Sequence, residues 1–229
     1  MRIRRLFAVA ATAFLACSTS ATGQENPYGG GTRLTGPPPA EIPTYAMSEQ
    51  DKARVVTQDL AACLIKLHRS SVLKAIQEDP WQDGARKTLV SVVDNRCLDE
   101  GELAVPPSLM RGAFYLQFYR ERFSAAAPAL PATAVDFIAT KSANSTEEAK
   151  NGIALLQFGD CVARRDLNDA RAFVLSRPGS PMEDAALNAL MPHFSACLVQ
   201  GSRWTLNRSS VSAILSEVLY REGMVAAGK

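Results

Sequence analysis

The sequence predicts an all-α protein built as two tandem, disulfide-stapled four-helix units. Three observations carry this expectation. Cysteines recur in two similarly spaced pairs, Cys63 with Cys97 and Cys161 with Cys197. The apolar residues around them follow helical rather than strand periodicity. A set of identities also repeats along the chain: Ser48-Glu49 with Thr146-Glu147, Cys63 with Cys161, Cys97-Leu98 with Cys197-Leu198, and Tyr119-Arg120-Glu121 with Tyr220-Arg221-Glu222. The offset drifts from 98 to 101. The drift falls where turns are expected, first at Arg177-Pro178-Gly179-Ser180-Pro181 opposite Glu78-Asp79-Pro80, which is where a structural repeat tolerates insertion.

Taken in order, residues 1–23 read as a secretory signal. Arg2, Arg4 and Arg5 form a basic start, Leu6–Cys17 an apolar run too short to span a bilayer, and small residues at Thr19, Ala21 and Gly23 suit cleavage before Thr22 or Gln24. A lipoprotein signal acylated at Cys17 is the competing reading, and the bulky Phe14-Leu15 before it fits that poorly. Residues 24–46, with Gly29-Gly30-Gly31 and Pro37-Pro38-Pro39, read as a flexible arm. Unit 1 is expected over 47–122, an Ala/Pro-rich linker over 123–145 and unit 2 over 146–224.

Within each unit the pattern predicts a long helix, a short one, a third ending at the second cysteine, a brief extended stretch and a fourth helix. Ser48 and Thr146 are placed to cap the first helix, with acids in its opening turn. Val56, Leu60, Cys63 and Leu64 share one helix face, as do Ala154, Phe158, Cys161 and Val162. In the fourth helix Met110, Phe114 and Phe118 form a row matched by Val211, Leu215 and Leu219. Gly101 and Gly201 stand where the third helix should end. Leu103-Ala104-Val105 and Trp204-Thr205-Leu206 are β-prone, so the units are expected to pair these stretches as a short ribbon.

Removing Cys17 with the signal leaves four cysteines, and export predicts their oxidation. Repeat symmetry alone permits Cys63–Cys161 with Cys97–Cys197. The favoured pairing is Cys63–Cys97 with Cys161–Cys197, because a unit of about eighty residues has a small core and gains most from its own staple.

Composition and motifs exclude more than they assign. Loss of residues 1–23 takes three arginines and no acid, lowering Lys+Arg from 25 to 22 against 23 Asp+Glu. No basic stripe remains for nucleic acid, and no further segment is apolar enough to cross a membrane. There is no Cys-x-x-Cys, P-loop, dinucleotide glycine pattern or nucleophile elbow. His193 lies four residues before Cys197, a spacing for metal only if that thiol is free. Asp99-Glu100 with Glu102, and Glu183-Asp184, are the carboxylates closest to a hydrolase pair. Arg120 and Arg221 of the repeated Tyr-Arg-Glu are candidate carboxylate donors; the alternative is that Tyr119 and Tyr220 complete buried rows. No catalytic residue, cofactor or metal ligand is assigned.

The segments Gly159-Asp160-Cys161-Val162-Ala163-Arg164-Arg165-Asp166 and His193-Phe194-Ser195-Ala196-Cys197-Leu198 resemble uncharacterised exported tandem-repeat proteins of alphaproteobacteria with paired cysteines. The resemblance implies export and repetition and carries no activity. The expectation is a non-catalytic periplasmic or secreted module with a protein partner in the cell envelope. The alternatives are a metal-free hydrolase with acids in a cleft between the units, and a carrier of a small ligand.

Overall fold

The computed structural model describes residues 32–36, 47–80, 84–98, 101–126, 128–137, 146–198 and 204–228. The signal, most of the arm, the Asp99-Glu100 pair, Gly201 and the linker's last residues lie outside the described residues. Among the described residues the regular structure is seven α-helices, a 3-10 turn at Asn95–Cys97 and one two-stranded ribbon: β1 (Thr32–Gly36), α1 (Glu49–Gln77), α2 (Ala85–Ser91), β2 (Gly101–Val105), α3 (Pro107–Phe123), α4 (Glu147–Arg165), α5 (Leu167–Leu175), α6 (Pro181–Cys197) and α7 (Arg208–Ala226). The protein is all-α apart from that ribbon.

Local chemistry fixes the helix starts. Ser48 Oγ accepts the Asp51 N–H at 3.1 Å and Thr146 Oγ1 the Ala149 N–H at 3.1 Å, so both expected caps form. The breaks that follow are related but unequal. At His68, φ is −135°, and α1 kinks yet continues to Gln77. At Asp166, which the sequence alignment sets opposite His68, φ is −149° and α4 ends. The aspartate carboxylate accepts the Asp169 N–H at 3.0 Å, so it starts α5 as a cap. Histidine does not cap here; its Nε2 lies 2.8 Å from Asp94 Oδ2 instead.

The third helix of the expected pattern forms fully only once. α6 runs from Pro181 to Cys197 behind the Ser180 cap. Between Pro80 and Cys97 there is instead the seven-residue α2 and a 3-10 turn, Asn95–Cys97, which the Asp94 side chain caps through the Arg96 N–H at 2.9 Å. The disulfides are Cys63–Cys97 and Cys161–Cys197, each with a Cα separation of 5.6 Å. Each ties a long helix to the end of the segment two elements later. Closing loops with sequence separations of 34 and 36 residues is worth about 4 kcal/mol apiece on the chain-entropy model.

The ribbon departs from expectation. β2 pairs antiparallel with β1 from the arm, Thr32 opposite Val105 and Gly36 opposite Gly101, and not with residues 204–206. Those residues are irregular because their side chains are engaged elsewhere: the Trp204 ring stands edge-on to Phe158 at 6.2 Å, and Leu206 packs on the same core. Gly101 consequently opens a strand and does not end a helix, and part of the arm expected to be mobile is a strand.

Two apolar cores result. One gathers Leu60, Leu64, Val72, Ile76, Phe114 and Phe118 from α1 and α3; the other gathers Phe158, Val162, Phe173, Leu190, Leu215 and Leu219 from α4 to α7. All six residues of the two fourth-helix rows are buried. α3 belongs to both cores, giving Leu116, Tyr119 and Phe123 to the second, because apolar side chains occupy two of its faces. Its Gly112 meets Ala213 of α7 so closely that a Cβ there would lie 2.3 Å from the Ala213 Cβ. The linker is held on the second core by the buried Phe137 and by the Val135 N–H, which donates to Glu222 Oε1 at 2.9 Å.

Candidate functional site

The ionisable residues that chemistry would need are largely spent on structure. Glu183 is fully buried in the first turn of α6, where it accepts two hydrogen bonds from the Arg54 guanidinium and one, at 2.8 Å, from the Gly179 N–H. Gly179 can offer that N–H because its φ of 72° lies in the left-handed region. Asp184 turns outward to Arg208. The Glu183-Asp184 pair is thus divided between a buried clamp to α1 and a surface ion pair, a poor arrangement for proton transfer to a substrate. Asp99 and Glu100 are outside the described residues.

Two further buried pairs follow the same logic. Arg111 of α3 donates to both carboxylate oxygens of Glu217 of α7 at 2.9 Å, and through a third hydrogen bond, 2.8 Å, to the Glu78 carbonyl. Glu222 is buried beside Asp160, with Arg164 donating to both. Burial and the neighbouring Asp160 push the Glu222 carboxyl above its ordinary range. Such pairs cross between helices distant in sequence, and breaking one strands a buried charge.

The repeated Tyr-Arg-Glu does not build two equivalent recognition points. Tyr119 is buried and its hydroxyl accepts from Arg171 at 3.1 Å, whereas Tyr220 is half-buried among Tyr115, Phe118 and Phe123. Arg221 reaches Glu217 at 3.2 Å and lies 4.8 Å from the Phe137 ring centre, while desolvation lowers the pKa of the half-buried Arg120. Glu121 pairs with Arg69 at the surface; Glu222 is interior. His193 is half-buried, and Cys197 is in a disulfide, so the metal spacing has lost its thiol. Among the described residues no group of three metal-binding side chains assembles.

Two features remain that could contact another molecule. The first is the outer face of α6. Its inward face is Glu183, Ala186, Leu190 and Cys197. Away from that face α6 exposes Met182 and Met191, to 67% and 55%, together with Ala185, Asn188, Ala189, Pro192 and Ser195, and Leu198 just past the helix end is 40% exposed; at 3.6 residues per turn Met182 and Met191 stand on opposite flanks of the helix. Asp184, about half exposed and paired with Arg208, is the one charged side chain that α6 exposes, because Glu183 is buried. Exposed apolar surface ordinarily marks a contact site when it is contiguous, and α6 carries the two most exposed large apolar side chains among the described residues.

The second is a cavity of about 240 Å³ between α1, α3 and the first turns of α7. Arg54, Thr57 and Gln58 line one side, Leu109 and Leu116 another, and Ser209 and Ser212 a third. Sequence reading found neither feature. The α6 face had a visible signal, seventeen residues with only Glu183 and Asp184 charged, whereas the cavity depends on three helices meeting.

No family model matches the chain, and no curated protein and no solved structure matches it.

Proposed function

We propose that this protein is a non-catalytic extracytoplasmic module, two copies of one disulfide-stapled helical unit, that binds a protein partner of the cell envelope through the outer face of α6. The observation that carries the reading is that α6 exposes Met182 and Met191, the two most exposed large apolar side chains among the described residues. Methionine side chains are flexible and polarisable, which suits them to an apolar partner surface, and the scarcity of charge on α6, where Asp184 alone is exposed and already paired, favours the apolar side of an amphipathic helix over a charged peptide.

Other observations support parts of the reading. Two disulfides suit an oxidising compartment, and no helix among the described residues is long and apolar enough to cross a membrane. The aligned breaks at His68 and Asp166, the paired caps and the two matching disulfides favour duplication. The engagement of Glu183, Glu217 and Glu222 by arginines argues against a hydrolase built on those acids.

Native mass spectrometry of protein released gently from the envelope fraction tests the proposal, with Met191→Glu beside the unaltered chain. A stoichiometric partner on the unaltered chain, absent from a folded M191E variant, is the expected result. A chain that emerges alone, or a partner that survives M191E, rejects it.

A further inference from the structure

The cavity between α1, α3 and α7 lies apart from the outer face of α6, and its lining is selective. Arg54 is the single ionisable residue among the described residues that line it. Its charge is already met by Glu183 and by Asp51, 3.1 Å away, so the cavity presents no uncompensated charge to a ligand. What it does present is hydrogen-bonding capacity beside aliphatic surface: the Gln58 amide and the Ser212 hydroxyl near Leu109 and Leu116.

Ser212 gives the second and independent sign. It is only 8% exposed, it lines the cavity, and its hydroxyl has no partner among the described residues. A helical serine or threonine ordinarily returns its hydroxyl to the carbonyl four residues back, as Thr57 does to Ala53 at 2.7 Å and Ser176 to Ala172 at 2.6 Å. Ser212 does not do this, and it lines the cavity from the second turn of the nineteen-residue α7. The space, open to solvent on one side, has room for one aliphatic side chain with its flanking amides.

We propose that this cavity is a binding site for a small uncharged amide carrying an aliphatic side chain, anchored by a hydrogen bond to the Ser212 hydroxyl. The side chain rests between Leu109 and Leu116, and the amide faces Ser212 and Gln58. Charged analogues are disfavoured because an ammonium or carboxylate would be desolvated with no free counter-charge.

The test is a titration of the full chain with N-acetyl-leucinamide followed by amide resonances, alongside leucinamide and N-acetyl-leucine. Saturable shifts centred on Gln58, Leu116 and Ser212, with both charged analogues at least about tenfold weaker, are expected. Ser212→Ala should weaken binding about five- to tenfold, the loss of one neutral hydrogen bond, while raising the thermal midpoint of the free protein. Ala53→Phe, at an exposed position on the cavity wall, should abolish binding without altering the fold. Shifts that do not saturate, charged analogues that bind as well, S212A with unchanged affinity, or A53F that still binds would each overturn the proposal.

Discussion

Replacing Gly112 with alanine tests how the two cores are joined. A Cβ at this position would lie 2.3 Å from the Ala213 Cβ and 2.4 Å from the Ala213 Cα. Carbon atoms rest at about 3.5–4.0 Å, so α3 and α7 must separate by on the order of 1 Å along their closest approach. Overpacking a tight contact costs about 1–3 kcal/mol, and a backbone clash belongs at the upper end. Alanine is favoured over glycine in a helix by about 1 kcal/mol, leaving a net loss of about 2 kcal/mol and a fall in melting midpoint of about 4–8 °C for a chain of this size. Because the Ala213 Cα is itself within 2.4 Å, adding Ala213→Gly should not rescue the variant. Gly84→Ala is the control, since a Cβ there meets nothing nearer than 4.0 Å. Urea unfolding followed by circular dichroism reads all four chains. A G112A chain as stable as the unaltered protein, or rescued by A213G, would refute this crossing of α3 and α7.

Three other outcomes follow from the buried polar groups. Arg54→Met leaves the fully buried Glu183 with only the more distant Arg208, 3.7 Å away, and should cost about 3 kcal/mol in urea unfolding, whereas Arg54→Met with Glu183→Leu should lose far less. Ser216 is buried with its hydroxyl unpartnered, so Ser216→Ala should raise stability by about 1 kcal/mol, read as a higher urea midpoint at constant slope. The raised pKa of Glu222 means that the folded state holds its proton more tightly than the unfolded state does. Its stabilising contribution is therefore complete below the ordinary glutamate value, about 4.3, and is lost as pH rises through the folded value. Unfolding midpoints measured from pH 4 to 8 should show that decline in the unaltered protein and a flatter profile in Glu222→Gln.

Much of the fold was legible because it rests on local and periodic signals. The caps at Ser48 and Thr146 needed only a hydroxyl before acids and an apolar row. The within-unit disulfides followed from spacing and core size. The ribbon was misassigned because β-propensity marks a strand without naming its partner: β2 took backbone pairing from Thr32–Gly36, while Trp204 and Leu206 were drawn into the core. Where a third helix was expected before Cys97, the chain forms only α2 and a 3-10 turn. The buried ion pairs were partly legible, since Glu183 lies in register with Ala186, Leu190 and Cys197 and Glu222 with Leu215 and Leu219, charges on apolar rows that demand an arginine from elsewhere. Which arginine answers was not readable, because Arg54 is 129 residues from Glu183. The cavity was invisible for the same reason: Gln58, Leu116 and Ser212 share no local pattern.

The apolar outer face of α6 was written in composition, yet the helix periodicity assigned only its inner side. The proposed function rests on the exposed side of α6, and photo-crosslinking in intact cells addresses it most directly. A photoreactive residue placed at Met191, with a second placed at the exposed Glu49 of α1 as control, reports what each surface touches. A single discrete protein adduct from position 191, absent from position 49 and lost when Ser195→Glu is added one turn along the same side of α6, is what the account predicts. Equal labelling from both positions, or no adduct from position 191, would contradict it.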